Sequence, residues 1–502
     1  MTLSIEDIAV FCKKKGFVYP SSEIYGGFSG FWDFGPLGVE LFNNIKTHWW
    51  NFFVRSRANM VGVDASIISH PRVWKASGHV DSFGDLVLTT KQSKTKLRAD
   101  HFIEDELSIS ADGMNAQDIM NLIKKHKLQH KGEDFEELKD FNLLFSTHVG
   151  ADEKNANTAY LRGETAQGMF TDFKLVAETA RQQLPFGIAQ VGKCFRNEIA
   201  PRDFLFRDRE FTIAEFEFFI HPDQTECNLL TKKHRSLKLP LLDSKEQAKK
   251  NGEPRLTTIE QMLKQNKLGE WHAYWLAEQY RWLLAIGLDP KKLKVREHVK
   301  TELSHYSSAT FDLDYTFPFG SKEIAGNANR GQYDLTQHIK ESNEKLTLFD
   351  EATKQHIVPR VIEPTFGMER VLLALIVDAY QEDKKRGNIV LKMLPKLAPF
   401  TVGIFPLVNK LDKEASKLFD LLKEEFSCTY DKSGSIGRRY ARADEIGIPY
   451  CITLDFDGIK DKTATIRDRD SAKQIVVKQD ELAITLHRLL SGEKLQAVTK
   501  MK

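Results

Sequence analysis

What this chain lacks narrows its identity first. Cysteine is scarce among its 502 residues, and the five, at positions 12, 194, 227, 428 and 451, form no close pair with metal-ligand spacing and are too scattered for a disulfide framework. No protein-held metal centre is expected, and a reducing cytoplasm fits best. An uncharged apolar run of the roughly 20 residues that cross a bilayer is also missing. Met1-Thr2-Leu3-Ser4-Ile5-Glu6-Asp7 carries acids where a secretory leader would be apolar. A soluble protein with no membrane partner is therefore expected. Charge of one sign is absent too: 72 basic residues meet 70 acidic ones. No global field advertises a polyanion, so any nucleic-acid surface must be a local patch. The length suits two or three domains, each able to bury a core.

Along the chain, Ser4 with Asp7 resembles a helix cap, and Gly16 follows a lysine run at a natural helix stop. Tyr25-Gly26-Gly27-Phe28-Ser29-Gly30-Phe31-Trp32-Asp33-Phe34-Gly35-Pro36-Leu37-Gly38 lacks the Gly-Lys-Ser/Thr of a phosphate loop, so it reads as a pocket wall. Helical spacing runs from Val39 to Arg57, and an extended segment ends at His70-Pro71. Residues 105–155 and 240–300 read as polar, lysine-bearing additions to a central fold, the first of them helical. Between them, Gly187 to Asn197 and Glu210 to Ile220 make an antiparallel hairpin, and Ala309 to Phe317 a third extended region. Val358 to Glu363 leads through Pro364 to Gly367 into a helix apolar on every side. After Pro395 and Pro399, short strands alternate with helices, which indicates a separate α/β module. The predicted boundary lies near 398.

The chemistry sits in Phe195-Arg196-Asn197-Glu198, Phe206-Arg207-Asp208-Arg209-Glu210-Phe211 and Gly367-Met368-Glu369-Arg370. An arginine fork pairs with phosphate or carboxylate oxygens without losing its charge, which suits Arg196 and Arg370 to a triphosphate. Glu198, two residues after Arg196 on a predicted strand, could accept from an adenine amino group, and Phe211 offers a ring for stacking. An Arg and a Glu two apart on a strand are also the pattern of a surface ion pair worth under about 1 kcal/mol. The ordered set, rather than any one tetrapeptide, favours ATP chemistry.

These segments, with Arg98-Ala99-Asp100-His101 and Leu161-Arg162-Gly163-Glu164-Thr165-Ala166-Gln167-Gly168, resemble the class II aminoacyl-tRNA synthetases, specifically the homodimeric glycyl-tRNA synthetase family. The resemblance runs from Tyr25 to beyond Arg469 apart from the two additions. It implies an α+β fold: an antiparallel-sheet catalytic domain over 1–398 and an α/β anticodon-binding domain over 399–502. The implied reaction is ATP-dependent activation of glycine followed by transfer to tRNA(Gly), with magnesium required. The segment ending at Pro71 resembles the class II dimerisation motif, which implies a homodimer.

Carried onto this chain, the resemblance makes Arg196 and Arg370 the catalytic residues. It gives the nucleotide Arg196, Asn197 and Glu198, then Phe206, Arg207, Asp208, Arg209, Glu210 and Phe211. Glu323, Ile324, Gly367, Met368, Glu369 and Arg370 complete that set. Glycine would meet Arg98 and Glu164, then Phe211, Thr212, Ile213, Ala214 and Glu215, and finally Glu363, Pro364, Thr365, Phe366 and Gly367. A substrate with no side chain offers only its ammonium and carboxylate, so Glu164, Glu215 and Glu363 could surround the ammonium, with Arg98 the partner for carboxylate charge. Each of these acids could equally satisfy a neighbouring arginine or backbone amide. Gly163 stands where the family pattern has proline, and Met368-Glu369 replaces the usual pair. In the last module, Ser435 to Tyr440, with Arg438 and Arg439, and Arg467-Asp468-Arg469 could face RNA or be ordinary surface.

Overall fold

Helix α1, Ile5–Lys15, forms where local chemistry directs it. Ser4 Oγ accepts from the Asp7 amide at 3.1 Å, the Asp7 carboxylate accepts from the Ser4 amide at 3.0 Å, and Gly16 closes the helix at φ 85°. The computed structural model describes residues 3–107, 109, 111, 114–150, 157–249, 252–299 and 307–498. Parts of both predicted additions, at 108, 110, 112, 113, 151–155, 250, 251 and 300, lie outside the described residues.

The centre is a nine-stranded, largely antiparallel sheet. Its strands in chain order are β1 Met60–Gly62, β2 Phe186–Phe195, β3 Glu210–Ile220, β4 Lys238–Leu242, β5 Arg255–Thr258, β6 Leu293–Glu297, β7 Ala309–Phe317, β8 Gly320–Gly331 and β9 Arg360–Gly367, arranged β5-β4-β6-β7-β8-β9-β3-β2-β1. The β2–β3 hairpin and β7 follow the sequence expectation closely. β3 pairs antiparallel with β9 so that Ile213 opposes Gly367 and Glu215 opposes Thr365.

Alternation along β3 gives the sheet two characters. Phe216 and Phe218 point to one face, where Trp275 sits 4.6 and 4.8 Å from their ring centroids. Phe366 of β9 joins them, packed on Trp282 at 4.9 Å. Behind these rings lie α2, Pro36–Trp50, α3, Glu270–Ala285, and α5, Met368–Ala379, in one continuous core. The opposite face carries Phe211, Ile213, Glu215 and Glu217. Helix α4, Tyr333–Ser342, follows β8.

Two expectations need correction. The 240–300 stretch is no addition: β4, β5 and β6 extend the central sheet, and α3 carries Trp271, Trp275 and Trp282, all fully buried. Some of its polar residues find partners inside, as where Gln279 accepts from Asn327 and donates to the Gly326 carbonyl. The first addition is not purely helical either. Phe135–Asn142 pairs with Gly84–Thr90, which pairs with Lys96–Arg98, and helices Ala99–Leu107 and Ala116–His126 share a small core with this sheet.

Beyond residue 400, a five-stranded sheet runs Cys428–Tyr430, Val402–Pro406, Tyr450–Leu454, Thr463–Asp468, Gln474–Lys478, parallel in its first three strands and antiparallel in the rest. It has its own core, and α6, Ile436–Glu445, packs beside it.

Trp275→Ala is expected to cost about 3–5 kcal/mol in urea unfolding. Leu256→Ala, on the same stretch but 71% exposed, should stay within about 0.5 kcal/mol. Equal, small losses at both positions would place the stretch outside the core.

Candidate active site

One pocket opens where β3, β9, the start of α5 and the loop between β2 and β3 meet. Arg196, Glu198, Arg207, Asp208 and Phe211 line it from the hairpin, and Glu323, Thr365, Gly367, Glu369 and Arg370 from the other side. The two arginines singled out in the sequence therefore face the same space. Strand alternation does not put Arg196 and Glu198 there, since β2 ends at Phe195; the Arg196 amide donates to Arg209 O at 2.9 Å and a turn carries Glu198 into the pocket.

Each arginine is held by part of its fork. Arg196 Nε donates to Gly163 O at 3.1 Å, and its guanidinium lies 5.4 Å from the Phe211 ring centroid. Its two terminal nitrogens have no protein acceptor among the described residues. Arg370 donates to Phe206 O at 3.1 Å and to Glu323 O and Oε2 at 3.0 and 3.1 Å, over the Phe206 ring. Glu198 has a buried oxygen, Oε2, with no donor, which suits an acceptor awaiting a base amino group. Asp208 accepts from Trp32 Nε1 at 2.8 Å while its other oxygen is unpartnered, and burial raises its carboxyl well above the usual range. Trp32 comes from the glycine-aromatic segment, which also holds Arg209 through Ser29 O and Gly30 O. That segment thus supports the pocket from outside its lining, by holding Asp208 and Arg209, rather than forming a wall of it.

Other expected site residues sit elsewhere. Arg209 is spent on backbone carbonyls, and Glu210 pairs with Lys193 at 3.4 Å. Asn197 donates its amide to Leu143 O; Ile324 and Met368 are core side chains. Ala214, Pro364 and Phe366 face away from the pocket or are buried beneath it, and Thr212 is taken by Glu369 through its amide and hydroxyl at 2.7 and 2.9 Å. Arg98 is not available for a substrate carboxylate: Asp100 holds it in a two-pronged pair and Asp85 lies 3.3 Å away. Nearby, Arg207 approaches His101 Nε2 at 3.0 Å, and burial together with Arg207 and Arg98 depresses that imidazole to about 3. His101, just before the first addition, thus packs against Arg207 from outside the pocket lining.

Beside the pocket lies a buried acidic niche. Glu215 accepts from Thr165 and Thr365 hydroxyls at 2.5 and 2.7 Å, and Thr365 also lines the nucleotide pocket. Glu164 meets His79 Nε2 at 3.3 Å, Gln167 at 2.9 Å and Arg330 at 3.7 Å; against the upward push of burial, His79 and Arg330 hold its carboxyl low. Glu363 is paired closely with Arg330, which also grips Asp334 through two bonds of 2.7 Å. Burial still pushes Glu363 up to about 8, with Arg330 opposing and Glu215 and Glu164 adding to the rise. The acids thus serve a neighbouring arginine and remain grouped, with oxygens of Glu215 and Glu363 within 4.8 Å of each other. The niche suits a compact ammonium better than magnesium, which keeps several waters.

In the last module three of the four named arginines, Arg439, Arg467 and Arg469, are neither RNA-facing nor surface but buried. Arg439 is buried and donates to Pro406 O and Leu407 O, Arg467 forms a two-pronged pair with Asp444 at 2.7 and 2.9 Å, and Arg469 donates to Gly447 O and Met393 O at 2.8 Å each. Arg438 and Arg442 remain exposed.

Residues 401–489 match the anticodon binding domain family. Over 490 residues, 96% of this chain and 97% of the relative, the sequence is 43% identical to the glycine–tRNA ligase of Caldanaerobacter subterraneus subsp. tengcongensis. The chain belongs to the glycine–tRNA ligase family. The glycine–tRNA ligase of Acetivibrio thermocellus is 42% identical over 95% of this chain and 97% of its own, and that of Bacillus cereus strain ZK is 40% identical over the same shares.

For a member of the glycine–tRNA ligase family, the residue that sequence reasoning missed is Arg330, the central cation of the niche. Its signal was present: Asp334 follows at helical spacing after the strand residues Asn329-Arg330-Gly331. Arg330→Met is expected to cost about 3–5 kcal/mol, because it strands buried acids. Glu363, already raised in the folded state, would then favour its protonated form more strongly. Wild type and variant lose stability with pH at the same rate while Glu363 keeps its proton in both, and they part where the wild-type group ionises, at about 8, so the deficit should be larger at pH 9.5 than at pH 6. Thermal melts across that range check this, and a pH-independent deficit would contradict it.

Proposed function

We propose that the chain condenses glycine with ATP to glycyl-adenylate and pyrophosphate, then passes the glycyl group to the terminal ribose of tRNA(Gly). The observation that carries this reading is the junction at Thr365, where a pocket bearing Arg196 and Arg370 abuts the carboxylate niche. In the first step a glycine carboxylate oxygen attacks the α-phosphorus and the bond to pyrophosphate breaks. The free terminal nitrogens of Arg196 bridge the two reactants where negative charge builds, held in place by Gly163 O and Phe211. Glu198 accepts from the adenine amino group and Phe211 stacks on the base. Arg370 and Arg207 meet the outer phosphates. Glu215 and Glu363 hold the ammonium, and Thr365 bars a Cβ, so alanine is rejected by strain as well as by lost contact. In the second step a ribose hydroxyl attacks the glycyl carbonyl and AMP leaves.

Magnesium would neutralise the departing pyrophosphate. Glu323, on the pocket wall beside Arg370, with Asp312 behind it, supplies the hard oxygens such an ion takes: both carboxylates approach the position a Cβ on Gly326 would fill, at 3.7 and 3.9 Å. Residues 1–398 form the catalytic domain and 399–502 the anticodon-binding domain in this reading. Edge strand β1 and the exposed Ile67 and Ile68 that follow it favour a homodimer through the segment ending at Pro71. No helix among the described residues is long and apolar enough to cross a membrane, and a cytoplasmic site of action fits the scattered, unpaired cysteines.

ATP–pyrophosphate exchange with glycine, alanine, serine and proline tests the reading, with stimulation by glycine alone expected. Arg196→Ala should lower exchange at least ~10²-fold, the scale for losing one preorganised charge-stabilising donor, with the fold intact. Exchange by the variant at the original rate would remove Arg196 from its role.

A further inference from the structure

Glu217 has no part in the scheme above, yet it is the least accommodated acid in the niche. It follows Glu215 by two residues on β3 and so shares its face. It is 0% exposed, and neither carboxyl oxygen has a hydrogen-bond partner. Its neighbours differ: Glu215 has two hydroxyl donors, Glu164 has His79 and Gln167, and Glu363 has Arg330. Oxygens of Glu215, Glu217 and Glu363 lie within 4.8 Å of one another.

The charges around Glu217 come from every element packed on it. β3 gives Glu215, β9 gives Glu363, the end of β8 gives Arg330 and α4 gives Asp334, while β2 opposes it with apolar Ile188. Glu164 sits across the niche on Arg330. Asp334 and Glu363 already share that guanidinium. An arriving ammonium adds one positive charge. The acids still outnumber the cations, which favours a proton on one of them at this degree of burial, and the acid without hydrogen-bond partners gives up least by holding it.

We propose that Glu217 is a positioning residue that works as a neutral carboxylic acid, turning an O–H rather than a third negative charge toward Glu215 and Glu363. This rests on the niche being the ammonium site. Burial first, and Glu363 second, raise the Glu217 carboxyl well above its ordinary range, in the direction the charge count requires. Kept neutral, it lets Glu215 and Glu363 approach one small cation. Ionised, it would drive them apart and favour a second one.

Glutamine copies a neutral acid in shape and donates a hydrogen bond, so Glu217→Gln separates the two states. In glycine-dependent exchange its KM for glycine should stay within ~3-fold of wild type, whereas Glu217→Ala should raise KM by ~10-fold or more with a smaller change in kcat. Glu215→Gln, which removes a charge facing the ammonium, should raise KM at least as much. In melts from pH 6 to 9, the folded wild type must keep a proton that the unfolded chain releases above about 4.3, so its stability falls with pH. The melting temperature of Glu217→Gln relative to wild type should therefore climb with pH. A KM for Glu217→Gln as high as that of Glu217→Ala, or a melting gap that is flat or falls with pH, would overturn the proposal. An unchanged KM in Glu215→Gln would instead sink the ammonium reading and the positioning role with it, while the melts still report whether Glu217 is neutral.

Discussion

The register of β3 against β9 is the constraint on which the rest depends. Glu215 opposite Thr365 and Ile213 opposite Gly367 put every chemically useful side chain of both strands on one face. A slip of one residue would turn Phe216, Phe218 and Phe366 into the site and Glu215 and Glu363 into the core. The rings forbid that slip, since they fill space against Trp275, Trp282 and Trp49 that no carboxylate could occupy without a partner. Burial on the back of the sheet, with no catalytic residue in it, is thus what aligns the front.

On the front, the arrangement of charge follows one rule at two scales. The pocket offers arginines fixed before any anion arrives: Arg196 is anchored through Nε on Gly163 O, which leaves both terminal nitrogens free, and Arg370 through Nε on Phe206 O and Nη1 on Glu323, which leaves one. The niche inverts the pattern, with acids gathered around the guanidinium of Arg330 and a local excess of negative charge. In the proposed reaction the two sites take opposite ends of glycine. Thr365, lining one and donating to the other, holds them adjacent.

Much of this was legible from the chain. The hairpin, β7 and the passage from β9 into α5 follow from apolar periodicity, and the carriers of charge lie on them in a fixed order. What was not legible has a common cause: polar residues whose partners are remote in sequence. Helix α3 reads as surface because His272, Glu278 and Gln279 interrupt its tryptophans, but His272 reaches Asn327 O, Glu278 meets Arg57 and His234, and Gln279 meets Asn327. With most of their polar atoms partnered, His272 Nδ1 excepted, these groups are buried and erase the amphipathic signature. Arg98 misled for a different reason, since its partners Asp100 and Asp85 are near in sequence and take up the charge that a substrate carboxylate was expected to meet. Arg330 carried a local clue in Asp334 but none for Glu363.

The buried arginines beyond residue 400 bear on how the two sheets communicate. Asp444 on α6 is held by Arg467 from its own sheet and, at 3.0 Å, by Arg386 from the turn between Tyr380–Asp383 and Asn388–Leu391. Arg386 also donates to Arg469 O at 2.6 Å, and Arg469 donates back to Met393 O. Lys15 of α1 pairs with Glu445. These are short, mostly buried contacts between charged groups with fixed geometry, and salt screens such pairs far less than exposed ones. The hairpin whose turn carries Arg386, and which leads on to Met393, follows directly from α5, whose first turn carries Glu369 and Arg370. A displacement of the carboxy-terminal sheet would therefore have to break directional charged contacts beside the helix that positions Arg370, which ties the placement of the anticodon-domain match to the nucleotide pocket more tightly than a flexible linker would.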